Sequence, residues 1–273
     1  MIRSALTRVA VAAIVAVIPL QASGEILAAE AHANSTRLKV ANVCPDGRYE
    51  GNCSSTEILQ AIAFAPDKLP APEPRCFYRT QARCHVIATG RIQATAMTVV
   101  WQHMTLSPPD GPIMEMMVLG EQTETHDVKL IGASQVDGYF SPPDLVADDE
   151  NLLLIHVPGV RAGSGAGNAD LVLKYTDDGW QGVDLSYWAE QVNTLLPQGL
   201  SIHNSARLDL REMHASSPVW RDSDGNCCAT GGTVQIDFTL DGNVLIASRI
   251  ALSETTPTGP TRYIEAKPGA DSQ

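Results

Sequence analysis

The chain has 273 residues, 44% of them hydrophobic, and sets 19 Lys and Arg against 31 Asp and Glu for a formal net charge of -12 at pH 7. That length supports a sizeable core in one domain or two small ones. The acidic balance argues against nucleic acid and anionic lipid as partners, since both draw on positive surfaces, and leaves a cationic partner or plain solubility as the meaning of the charge.

Arg3 and Arg8 form a short basic region, Val9 to Leu20 is an apolar run, and Gln21-Ala22-Ser23-Gly24 supplies small residues. These three parts predict a secretory signal peptide over residues 1–24, with Gly24, Ala29 and Ala33 all compatible with cleavage. The apolar run falls short of the roughly 20 residues a membrane span requires. No later segment is apolar for long enough, so no integral membrane segment is expected once the signal is removed. Losing Arg3 and Arg8 leaves 17 basic residues against 31 acidic ones. The predicted location is outside the cytoplasm, periplasmic or extracellular, where cysteines oxidise. Cys44 with Cys53 and Cys76 with Cys84 would close two short local loops. Those two loops leave Cys227 and Cys228 to bond each other; the alternative is a separate bond from each of them to the N-terminal piece.

Residues 25–75 read as a small N-terminal segment. An Ala-rich lead-in precedes the turn Pro45-Asp46-Gly47, and Ser54 with Glu57 forms a capping-box pattern that predicts a helix over about 55–65, stopped by Pro66. The proline-dense stretch from Pro66 to Arg75 should run extended as a joint. Residues 76–252 read as the main, β-rich domain. Residues 84–92 and 95–101 carry strand composition. Ser-Pro-Pro-Asp occurs at 107–110 and 141–144, before the apolar runs Ile113 to Leu119 and Leu152 to Val157, and is better taken as two similar turns than as a repeat. Asp170 to Tyr175 alternates as a strand, and Thr176-Asp177-Asp178-Gly179 turns the chain. Leu185, Trp188, Val192 and Leu195 make one apolar stripe, predicting an amphipathic helix from Asp184, its N-cap, to about Leu196. Short strands follow at Leu200 to Ile202 and Ala206 to Leu210, with Met213 to Trp220 a connector containing Pro218. Val234, Ile236, Phe238 and Leu240 then alternate with polar residues, and Asp241-Gly242-Asn243 turns them into a hairpin. Residues 253–273 are expected to be disordered. The fold class is α+β and β-rich, with antiparallel sheets, one main amphipathic helix and disulfide staples.

Few motifs carry chemistry. Gly163-x-Gly165 precedes a strand where a dinucleotide fingerprint requires a helix, and Ser164 lacks the Gly-x-Ser-x-Gly elbow. No catalytic residue is predicted, although a Ser-His-Asp set drawn from distant positions remains open. His85, His156 and His203 lie in strand-like runs and read as packed or surface histidines. Asp222-x-Asp224-x-Asn226 has the oxygen spacing of half a calcium loop, but Cys227 stands where that loop needs Gly, and Thr233 where it needs Glu. Calcium at Asp222, Asp224 and Asn226 is therefore the one cofactor possibility. A Cys227–Cys228 bond would join Cα atoms held about 3.8 Å apart by a trans peptide, closer than disulfides prefer, and suggests either a rigid turn or a redox switch. Trp101, Trp180 and Trp220 could offer a sugar-stacking surface, whereas Trp188 belongs to the helical stripe.

Trp180, Asp184, Trp188, Leu196-Pro197-x-Gly199-Leu200, Pro218-x-Trp220-Arg221 and Asp224-x-Asn226-Cys227-Cys228-x-x-Gly231-Gly232 together resemble a set of uncharacterised exported bacterial proteins. The resemblance covers about a third of the chain, from Asp170 to Ile250, and implies a shared hairpin module and export without bringing an activity. The functional expectation is a non-enzymatic exported binding protein whose partner is a cationic protein or an envelope component. An envelope or extracellular hydrolase and a calcium-stabilised structural protein are the alternatives.

Overall fold

The computed structural model describes residues 43–49, 53–62, 75–125, 127–163, 167–203, 206–256 and 260–268. The predicted signal peptide, the Ala-rich lead-in, nearly all of the proline-dense joint, Ser164 and Gly165 lie outside them. The described chain is β-rich and its ladders are antiparallel throughout.

The first sheet is a meander of β1 (Arg83–Gln93), β2 (Thr98–Ser107), β3 (Met114–Gln122) and β4 (Val128–Val136). A second sheet is ordered β10-β9-β7-β6, from β6 (Asp144–Asp148), β7 (Leu153–Val157), β9 (Leu171–Thr176) and β10 (Gly179–Gly182). Between these in sequence, β5 (Gly138–Phe140) pairs with β8 (Gly159–Arg161). The third sheet runs β13 (His214–Arg221), β14 (Gly232–Asp241), β15 (Val244–Glu254) and β16 (Arg262–Ala266), with β11 (Leu200–Ser201) and β12 (Arg207–Asp209) both pairing to β13. Among the described residues two helices complete the fold, α1 (Ser55–Ala61) and α2 (Trp188–Leu195).

Strand alternation stacks these elements. One face of the first sheet offers Val99, Trp101, Met117 and Leu119 to Ile155, Leu171, Leu173 and Trp180 of the second. The opposite face of the second sheet turns Leu154 and Val172 toward Val234, Ile236, Leu245 and Ile250 of the third, where Trp188 and Val192 of α2 also pack. Strand β7 is buried along its whole length, which is why Leu152 to Val157 is apolar at every position but His156.

The outer face of the first sheet packs Met104, Leu106, Met116 and Val118 against Val43, Ile58, Phe77 and Tyr78 of the N-terminal segment. Two buried glutamines attach that segment by hydrogen bonding its backbone. Gln102 accepts from Phe77 N at 2.7 Å and donates to Arg75 O at 3.0 Å. Gln135 accepts from Val43 N at 3.0 Å and donates to Val43 O at 3.4 Å. Tyr78 donates to the same carbonyl, and burial raises its phenol pKa well above the usual range.

Several sequence expectations need correction. The Ser54–Glu57 capping box is present, but α1 stops at Ala61 because Ile62 turns out to bridge Tyr78. Asp184 does not cap α2. Its carboxylate accepts from Ser186 N and Oγ, and its backbone bridges Val244 in parallel, so the helix starts a turn later at Trp188. The expected connector at 213–220 is strand β13. It tolerates Pro218 because β12 pairs with residues 214–216 and β11 with Trp220 and Arg221, so Pro218 falls in the gap between them. The expected disordered end instead supplies β16, whose Arg262 to Ala266 extend the ladder beyond β15.

Candidate functional site

The six cysteines form three local pairs. Cys44–Cys53 and Cys76–Cys84 span Cα separations of 5.6 and 6.5 Å, and Cys227–Cys228 spans 3.8 Å across a trans peptide. Separate bonds from Cys227 and Cys228 to the N-terminal segment are thereby replaced by a vicinal pair. In the adjoining loop, Asp224 Oδ2 accepts from Arg221 N at 2.7 Å and Thr230 N at 2.8 Å, and Oδ1 accepts from Thr230 Oγ1 at 2.7 Å. These donors, Arg221 N first, hold its carboxyl below the usual range. Asp222 turns its backbone N–H to Gly199 O at 3.3 Å. Asp224 thus braces the loop, and among the described residues no group of three or more His, Cys, Asp or Glu is placed to hold a metal ion. Trp101, Trp180, Trp188 and Trp220 are all buried, which removes the sugar-stacking surface.

Among the described residues three histidine–carboxylate pairs, none signalled by local sequence, appear where strands meet. His103 Nε2 lies 2.7 Å from Glu115 Oε2, which also accepts from Phe140 N. His156 Nε2 lies 2.6 Å from Asp170 Oδ1, and Asn168 joins the other Asp170 oxygen to the backbone of Ala206. His214 Nδ1 lies 3.0 Å from Asp237 Oδ1 on the outer face of the third sheet. His203 stacks on Trp220 with centroids 4.3 Å apart, and His85 is exposed. Among the described residues no hydroxyl or thiol side chain hydrogen-bonds to any of the three paired imidazoles. Two of the pairs are buried and brace strands; the third is a surface network with Arg249.

A cleft of about 750 Å³ lies at one end of the first two sheets. Three hairpin turns build it: Thr95 and Ala96 between β1 and β2, Asp149 to Leu152 between β6 and β7, and the β9–β10 turn beginning at Asp177. Asp148 Oδ2 ties two of them by accepting from Thr95 N at 2.9 Å and Thr95 Oγ1 at 3.0 Å. Asp149 Oδ1 closes its own turn by accepting from Asn151 N and Leu152 N. Among the described residues no hydrogen bond or ion pair engages the carboxylates of Glu150 or Asp177. Among the described residues the one basic lining residue, Lys174, donates its Nζ to Gly242 O at 3.0 Å and pairs with none of the carboxylates. Tyr175 is 38% exposed and meets Trp180 edge-on with centroids 5.4 Å apart. Trp180 is fixed in turn by donating Nε1 to Glu121 Oε2 at 3.0 Å.

Asp148, Asp149, Glu150 and Asp177 therefore converge with an aromatic ring on one concavity. Their signal in the sequence was the acidic run at 148–150 and the pair at 177–178, each of which reads locally as an ordinary turn. A smaller cleft of about 450 Å³ beside the Cys44–Cys53 loop is lined by charges of both signs, and there Arg48 Nε already pairs with Asp46 at 2.6 Å. Set against protein-family models, curated proteins and solved structures, the chain matches none.

Proposed function

We propose that this is an exported, non-enzymatic binding protein whose acidic cleft takes a cationic partner, namely a basic segment of another protein or an envelope component. The carrying observation is the convergence of Asp148, Asp149, Glu150 and Asp177 with the exposed Tyr175, while Lys174 is bonded to Gly242 O. Unengaged carboxylates attract an ammonium or guanidinium group, and an aromatic face adds cation–π attraction of about 0.5–1 kcal/mol at exposed sites. The net charge of -12 steers such a partner over longer range. The buried His103 and His156 pairs lie outside the cleft lining, which favours recognition over hydrolysis. Three disulfides and the resemblance to exported bacterial proteins support the location.

Binding of a fluorescent oligolysine, followed as salt is raised, tests the reading. Affinity should fall steeply between low and physiological ionic strength. Replacing Glu150 and Asp177 together by Gln and Asn should weaken binding by roughly three- to tenfold, on the scale of exposed charge pairs. No binding at low ionic strength, or binding indifferent to both salt and the double substitution, would overturn it. The mass of the exported chain tests the location, since a mature form retaining residues 1–24 would contradict signal cleavage.

A further inference from the structure

From the exposed loop between β13 and β14, we infer that Cys227 and Cys228 form a thiol–disulfide exchange site that accepts electrons from a dithiol donor while the fold stays intact. The three disulfides occupy different physical situations. Cys44 is 2% exposed, and Cys53, Cys76 and Cys84 pack against the cluster formed by Val43, Ile58 and Tyr78. Their two bonds close sequence separations of 9 and 8 residues, so each restrains the unfolded chain. Cys227 and Cys228 are both exposed, and their bond spans a separation of 1. It encloses no loop, so it removes almost none of the unfolded chain's freedom. It also joins no two elements.

The shape of this loop is secured by other means. Asp224 takes three hydrogen bonds from Arg221 and Thr230, Cys228 N donates to Gly225 O at 3.0 Å, and Gly231 N donates to Val219 O at 2.8 Å. Opening the sulfur–sulfur bond breaks none of these. A disulfide that is not needed to staple the fold and whose two residues are both exposed is placed for attack, since exchange needs a clear approach for the incoming thiolate.

The exchange itself balances. A thiolate of the donor attacks one Sγ, the Cys227–Cys228 bond breaks, and the displaced cysteine leaves as a thiolate that takes a proton from solvent. The donor's second thiol, as thiolate, then attacks the mixed disulfide and releases the other cysteine, which is also protonated. Two electrons and two protons pass to the protein, and the donor departs as its own disulfide. The donor class is a dithiol, either small or presented by an oxidoreductase.

Dithiothreitol titration of the native full chain, with N-ethylmaleimide trapping and peptide mass mapping, tests this. Cys227 and Cys228 should become labelled about tenfold or more faster than Cys44, Cys53, Cys76 and Cys84, with circular dichroism unchanged. The double variant Cys227→Ser/Cys228→Ser should fold and melt like the parent, and a trivalent phenylarsenical should bind only the reduced parent. Labelling of 227 and 228 that waits for the other pairs or for unfolding would overturn the inference. So would loss of the fold in the double variant.

Discussion

His214 and Asp237 face each other across β13 and β14 with Nδ1 3.0 Å from Oδ1, and His214 Nε2 lies 2.7 Å from Gln235 Oε1. A ring with an oxygen acceptor at each nitrogen satisfies both only when both carry protons. Partial burial works against the charged ring, but the bonds to Asp237 and Gln235, with Asp209 nearby, outweigh it and raise the pKa above the usual histidine value. Asp237 is held below the usual carboxylate range, by Arg249 first and His214 second. Because the imidazolium is favoured in the fold, its contribution to stability is complete below the ordinary histidine pKa of about 6.5 and is lost as pH rises through the raised value. Asp237 contributes above the ordinary aspartate pKa of about 3.9 and loses that contribution as pH falls through its lowered value. Thermal melting of the parent should therefore show an excess over His214→Asn that is largest between these limits and shrinks above neutrality. An excess that grows at alkaline pH would contradict the assignment.

The N-terminal segment should be released by substitutions far from it in sequence. Gln135 lies 92 residues from Val43, yet its Oε1 accepts the amide of a residue that is 0% exposed. Gln135→Leu removes that acceptor at a cost of about 1–3 kcal/mol for a buried donor. Hydrogen exchange should accelerate at residues 43–49 while β14 and β15 remain protected. Uniform acceleration over all three sheets would show instead that the segment and the main sheets open as one unit.

What was legible depended on how local each signal was. The β14–β15 hairpin and its turn, the Ser54–Glu57 cap and the short cysteine loops are each encoded within one continuous stretch, the longest running from Gly232 to Glu254, and their physics is settled there. Strand β13 was hidden because Pro218 argues against a strand unless the gap between β11 and β12 is known. Strand β16 was hidden because its polar residues gain order only from the ladder of β15. Asp184 looked like a helix cap until its backbone proved to bridge Val244. The acidic cleft draws on turns near residues 95, 150 and 177, which become neighbours only when two sheets stack. The histidine–carboxylate pairs are register facts of the same kind.

Gly90 should resist enlargement. It pairs across the ladder with Trp101, and a Cβ at Gly90 would lie 2.5 Å from Trp101 Cζ2. Trp101 is buried between the first two sheets and has little room to withdraw. Gly90→Ala should cost about 1–3 kcal/mol through overpacking and shift the tryptophan emission. Gly182→Ala is the control, since nothing lies within 4 Å of its added carbon. It should be neutral or stabilise by about 0.4–1 kcal/mol in urea unfolding.

Helix α2 is joined to the third sheet by more than its apolar stripe. Between Asp237 and Phe238 the ladder slips, so that Asp237 faces Arg249 and Phe238 faces Ala247, leaving Ser248 as an extra residue. A bulge of this kind leaves backbone groups without ladder partners. Gln191 of α2 answers one of them, its Oε1 accepting from Ala247 N at 3.0 Å, while Ser248 Oγ donates to Asp237 O at 3.1 Å. Ala247 is 0% exposed, so water cannot replace the glutamine. Gln191→Leu should therefore cost about 1–3 kcal/mol, beyond anything lost from packing, and speed exchange of the Ala247 amide. Gln191→Glu keeps the acceptor at similar size and should recover most of the protection. If Leu and Glu variants unfold at the same urea concentration, and Ala247 exchanges equally in both, the bond contributes nothing and packing alone seats the helix.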